Sequence, residues 1–81
     1  MEGNIVLSAQ SPFATVGFSG NCNNLSQGFV YYFEGGSNAP TNYCWIITLT
    51  CLSDAGQLAW ARDGAWVRRR SGGSWSNWLS L

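Results

Sequence analysis

Neither histidine nor lysine occurs in this chain, and its ionic complement is four arginines against four carboxylates, a net charge of zero. The missing histidine removes the commonest general base at neutral pH, and with it the simplest routes to acid–base and nucleophilic catalysis. Each carboxylate has a conformational explanation. Asp63 precedes Gly64 in a turn, Asp54 lies in the turn-rich stretch 53–56, Glu34 opens a Gly-Gly loop, and Glu2 is terminal. Only a Glu34 pair with Asp63 or Asp54, facing across a sugar, leaves room for glycosidase chemistry. The expectation is a protein that is not an enzyme.

The shortage of positive charge also excludes partners. Without a broad basic surface there is little counterion release to drive nucleic-acid binding, and the run Arg68, Arg69, Arg70 alone does not supply it. No apolar stretch is long enough to span a bilayer, so no membrane insertion is expected. Ile5, Val6 and Leu7 have no basic region before them, so no signal peptide is expected and folding is assigned to a cytoplasm.

Cysteine is scarce and odd in number: Cys22, Cys44 and Cys51. At least one thiol stays free or pairs between chains. Cys44 and Cys51 bracket an apparent strand, whose seven steps at ~3.3 Å would hold them roughly 23 Å apart. A disulfide needs Cα atoms within about 7 Å, so only a bridge from Cys22 is open, against three thiols acting as small hydrophobes. With no histidine and no close cysteine pair, neither a metal nor another cofactor is expected.

Aromatic rings are what the chain has in abundance. Five Trp, three Tyr and four Phe make twelve in 81 residues, and each buries roughly 150–250 Å² when enclosed. A single domain of this size has a small core and marginal stability alone. Some rings are therefore expected at an interface with other subunits or a ligand.

Helical periodicity is nearly missing, while Gly, Ser, Asn and Thr recur at short intervals, the pattern of an all-β domain. Residues 5–8 read as a short strand, and residues 21–26 as a polar loop or one helical turn started by Asn21 or Asn23. A strand is predicted over 28–34, with Phe29, Tyr31 and Phe33 on one face and Val30 and Tyr32 on the other. The loop 35–42 should be exposed and mobile. The next strand, 43–52, places Trp45, Ile47, Leu49 and Cys51 on a wholly apolar face, which predicts a central strand packed hard on one side.

Asp63-Gly64 between alternating residues predicts a hairpin over 57–70 with a two-residue type I′ turn. That register sets Arg62 against Ala65, Ala61 against Trp66 and Ala59 against Arg68. It predicts Leu58, Trp60, Ala65 and Val67 as the core face. The other face carries Trp66, Arg68 and Arg70 opposite small alanines, an aromatic-cationic platform suited to the C–H faces, hydroxyls and acids of sugars. A second arrangement has the terminal segment covering this face, with Trp75 or Trp78 stacked on Arg68. The candidate ligand-binding residues are Trp66, Arg68, Arg70 and Tyr43. A tight turn follows at 71–74, and the spacing of Trp75 and Trp78 fits a helical turn or a strand.

From Asn21 onward the order of elements resembles the knob-type domain of bacteriophage tail fibres and R-type pyocin fibres. The resemblance rests on Asn24-Leu25 with Gly28-Phe29 before the first strand, Asn38-Ala39-Pro40 in the loop, and the ending Trp66-x-Arg68-x-Arg70, Gly73, Trp75-x-x-Trp78. Gly28, Asp63, Gly64, Gly73, Trp75 and Trp78 are the structural motif positions. Such a resemblance implies an all-β knob, a small antiparallel sheet or sandwich over 21–81 with residues 1–20 as an attachment or docking segment. It further implies a virion component, a homotrimer that contacts other virion proteins and engages a bacterial surface polysaccharide. The chain would be a small protein of its own or a piece of a longer fibre. The competing expectation from another class is a cellular carbohydrate-binding module, monomeric and without catalysis.

Overall fold

The computed structural model describes residues 16–81; the strand expected at 5–8 lies outside the described residues. The fold is one mixed β-sheet. Its strands are β1 (Gly17–Phe18), β2 (Gly28–Tyr32), β3 (Cys44–Cys51), β4 (Asp54–Ala61), β5 (Gly64–Ser71), β6 (Ser74–Trp75) and β7 (Leu79–Ser80). They lie in chain order from β1 to β6, and β7 joins β6 along the outer edge of β5. All pairs are antiparallel except β1 with β2, which is parallel. The all-β expectation therefore holds, as a single mixed sheet and not a purely antiparallel sheet or a sandwich. A 3-10 turn at Cys22–Asn24 supplies the helical turn expected near Asn21, whose side chain caps it by accepting from the Asn23 N–H at 2.9 Å.

The β4–β5 hairpin closes two residues away from its expected register. Ala61 pairs with Gly64, Ala59 with Trp66 and Gln57 with Arg68, so Arg62 and Asp63 form the turn. Neither Asp63 nor Gly64 has a positive φ, whereas a type I′ turn needs one at both central residues. The observed register sets Gln57 directly across from Arg68, and Arg68 Nε donates to Gln57 Oε1 at 2.7 Å. A buried side-chain pairing has overridden a local turn preference. Because side chains alternate with a period of two, a two-residue slip leaves every residue on its expected face. The left-handed Gly-Gly turn falls instead between β5 and β6, where Gly72 and Gly73 have φ of 60° and 87° and Ser71 pairs with Ser74.

Which face is buried is the reverse of the sequence expectation. Cross-strand rows on the covered side run Val30, Ile46, Ala59, Trp66 and then Thr48, Gln57, Arg68. Ile46, Thr48, Gln57 and Ala59 are fully enclosed there, with Tyr32 and Cys44. The rows Tyr31, Trp45, Trp60, Ala65 and Phe29, Ile47, Leu58, Val67 form the opposite side, where Trp45, Leu49 and Leu58 are exposed. The cover explains the choice. It is irregular chain, the 3-10 turn on one flank and the Trp75–Trp78 segment on the other, packed on the core with Leu25 and Phe18. Irregular backbone brings carbonyls that need donors, and Gln57 Nε2 meets the Cys22 carbonyl at 2.9 Å. Alanine, threonine and cysteine also let that backbone approach closely; a ladder of indoles would not.

The loop between β2 and β3, expected to be mobile, is fastened at several points. Cys22 N donates to Ser37 O and Ser37 N to Gly20 O, Asn38 Nδ2 donates to Asn21 Oδ1 at 2.8 Å, and the Trp78 indole donates to the Asn38 carbonyl at 2.9 Å. Gly36 lies directly against the Gly20 carbonyl, where a Cβ has no room. Gly36→Ala should therefore lower stability by about 1–3 kcal/mol in denaturant titration. Leu52, at the β3–β4 turn, is 94% exposed with φ 57°, a conformation asparagine adopts more readily than leucine. Leu52→Asn should raise stability by about 1 kcal/mol, read from the same titration.

Candidate functional site

The covered side of the sheet is organised around Arg68. Its side chain is only 5% exposed. Its guanidinium carbon lies 4.1 Å from the Trp75 ring centroid and 4.7 Å from that of Trp78. One edge is used by Gln57, which in turn donates to Thr48 Oγ1 at 3.1 Å and to the Cys22 carbonyl. Arg70, on the same face, lies 5.4 Å from the Trp75 centroid. Its Nε and Nη2 donate to the Ser53 and Leu52 carbonyls at 2.9 and 3.3 Å, fixing the β3–β4 turn.

Burial shapes the electrostatics here. It lowers the Arg68 pKa, opposed only by the charge of Cys22. Burial pushes the Cys22 thiol up to about 11, with Arg68 pulling the other way and Cys44 adding to the rise. Burial also raises Cys44, whose Sγ donates to the Thr41 carbonyl at 3.4 Å. Both thiols are therefore neutral at pH 7, and all three cysteines are free. No group of three metal-ligating side chains occurs among the described residues.

The opposite side carries a ladder of rings. Centroids are 5.4 Å apart for Phe33 and Tyr31, 5.0 Å for Tyr31 and Trp45, and 6.0 Å for Trp45 and Trp60, which are stacked at 20°. Phe29 meets Trp60 edge-on at 6.2 Å. At one end of the ladder a cleft of about 550 Å³ is bounded by Tyr31, Tyr43, Trp45, Arg62 and Asp63, with Thr41 and Asn42 beside them. Tyr43 has φ 58°, an unusual conformation for a bulky residue. The Glu34 carboxylate near its hydroxyl raises its pKa.

The predicted ligand-binding residues thus divide. Arg68 and Arg70 come together with Trp75 and Trp78, in the arrangement where the terminal segment covers the platform. Trp66 is half-buried and packs against the core. Tyr43 joins Trp45 and Tyr31 on the other side. The motif residue Asp63 lines the cleft, and Gly64 sits under the Trp66 ring, from which a Cβ would be 3.1 Å away. Gly28 has φ 139°. Three features escaped the sequence reading. The rings of the ladder showed the right alternation, but Trp45 and Trp60 were assigned to packed faces and not to an open one. Gln57 carried its only signal in sharing a face with Ala59. Arg62, expected opposite Ala65 beside the turn, proved to be a cleft residue. Compared with known protein families, with curated proteins and with solved structures, the chain matches none.

Replacing Gln57 by Leu leaves the buried Arg68 Nε without a partner and the Cys22 carbonyl with only the Leu25 N–H at 3.4 Å, and should cost about 3 kcal/mol of stability in a urea titration. Trp66→Ala should cost about 3 kcal/mol in the same assay. For Cys22 the native pKa is about 11 against an ordinary 9.0, so the unfolded chain loses this proton first as pH rises. Stability from this thiol is complete below pH 9 and is lost between about 9 and 11. Melting temperature should fall across that window, and less steeply in Cys22→Ala. At pH 8 a thiol reagent should modify Cys51 in the native protein, and all three cysteines only after denaturation.

Proposed function

We propose that this chain is a non-enzymatic structural module of a bacteriophage particle, a tail-fibre, tailspike or surface-decoration component. In this reading it self-associates as a homotrimer, projects from the virion and attaches to host-surface glycan. It folds in the host cytoplasm, and residues 1–20 join it to other virion proteins. The observation that carries the proposal is the aromatic ladder, from Phe33 through Tyr31 and Trp45 to Trp60, on a sheet side that the described residues leave open. Apolar side chains in an unbroken patch mark an association surface. Enclosing them between copies under closed cyclic symmetry supports a domain with so small a core. The likeness of the ending, from Trp66 to Trp78, to knob-type fibre domains points the same way.

A cellular carbohydrate-binding module is the second reading, favoured by the cleft of Tyr31, Tyr43 and Trp45 with Arg62 and Asp63. Aromatic faces bordered by a few polar groups suit a sugar ring, and that cleft would be open only if the ladder stays uncovered.

Light scattering on the native protein at micromolar concentration, with and without reductant, distinguishes the two. A mass of three chains, unchanged by reductant, is the expected result. A stable monomer would overturn the trimer and favour the second reading. The pair Trp45→Arg and Leu58→Glu places charges on the ladder side. It should convert the trimer to a folded monomer, seen as a threefold drop in mass with the β-sheet circular dichroism retained.

A further inference from the structure

Beside the Arg68 stack the covered side of the sheet has a cleft of its own, about 400 Å³, bounded by Asn23, Asn38, Arg68, Trp75, Asn77 and Trp78. Two of its residues hold buried polar atoms with no partner, the Arg68 Nη2 donor and the Asn23 Oδ1 acceptor. Such atoms are rare in a folded protein, and each is costly to leave unpaired. Arg68 is also a buried cation with no counterion among the described residues. No carboxylate acts on it, and the one opposing charge it could feel, a Cys22 thiolate, is not formed at neutral pH. Stacking on two indoles offsets part of the desolvation, and Gln57 contributes a neutral acceptor. Neither supplies negative charge.

The missing partner is thus defined by its chemistry. It must bring a negatively charged acceptor to the guanidinium and a hydroxyl donor to Asn23. It must also place apolar C–H groups beside indole walls, with amides of Asn38 and Asn77 at the rim. A bare anion meets only the first of these requirements, and a neutral sugar only the other two. We propose that this cleft binds an acidic sugar unit, its carboxylate on Arg68 and a ring hydroxyl on Asn23. This deepens the glycan-attachment reading by naming the sugar class and a site. The cleft lies on the side away from the aromatic ladder, so it stays accessible when that ladder is enclosed between copies.

The test is a nitrogen-15 NMR titration of the full chain, following the indole N–H signals of Trp75 and Trp78. The probes are sodium glucuronate and galacturonate, with glucose, galactose and sodium acetate at equal concentration and ionic strength. Expected is saturable movement of both indole signals with the uronates, with affinity about tenfold above that for the neutral sugars or acetate. Asn23→Ala, which leaves Arg68 and its stack intact, should weaken uronate binding about tenfold while the melting profile stays cooperative. No movement with any probe would overturn the proposal. So would equal responses to uronate and neutral sugar, an acetate response equal to that of uronate, or Asn23→Ala binding as tightly as the parent. The trimer is measured separately by mass. A trimer without uronate binding removes this site alone, and uronate binding by a monomer removes the trimer alone.

Discussion

A single hydrogen bond, from Arg68 Nε to Gln57 Oε1, ties together more of this molecule than any other contact. It joins β4 and β5, two of the three longest strands, across their shared register. Through the amide of Gln57 it reaches Thr48 on β3 and the carbonyl of Cys22 in the overlying turn. Through the guanidinium face it fixes Trp75 and Trp78, and the Trp78 indole in turn fixes the β2–β3 loop. Three stretches of irregular chain are thus anchored to the sheet by one ion and one amide. A domain with no disulfide and few fully enclosed apolar side chains uses a polar centre where a larger protein would use more hydrophobic volume.

That centre explains what was legible in the sequence and what was not. Alternation placed β2, β3 and β5 to within about two residues and β4 from Gln57 onward, while Asp54 to Gly56, read as turn, are the first residues of β4 paired with β3; it sorted the side chains correctly between two faces. It could not say which face is covered, because hydrophobicity ranks Trp45, Leu58 and Trp60 above Ala59, Thr48 and Gln57. The covering layer is irregular backbone, which needs small side chains and polar partners, and a rule that places apolar residues inside has no means of anticipating it. The hairpin register failed for a related reason. Asp63-Gly64 is a strong local signal, and the Gln57–Arg68 pairing is a stronger tertiary one. The candidate site was legible where ring and cation met, at Arg68, Trp75 and Trp78. It was not legible in Asn23 and Asn38, whose roles depend on loops returning from distant parts of the chain.

The two sides of the sheet have different physical characters, and the proposed functions follow that division. One is a continuous run of rings with charge only at its margins, suited to a dry contact. The other is a polar seam under a lid of indoles, with a charge that the protein leaves uncompensated. A thin sheet can serve two partners at once because its strands present alternate side chains to opposite directions. Trp66 and Arg68 lie one residue from Val67, yet they belong to separate surfaces.

The chain-order arrangement of β2 to β5 has a consequence for how the protein is made. Each hairpin can close on the one before it while synthesis continues, with only short loops to order. Trp75 and Trp78, however, follow β2 to β5 in the chain. Until they arrive, the guanidinium of Arg68 stays in water and Cys22 has only part of its cover. The emerging chain therefore passes through a stage in which the sheet is formed but both of its sides are wet. Synthesis of the segment that carries Trp75 and Trp78 then acts as a latch, converting a solvated ribbon into a protein with an inside.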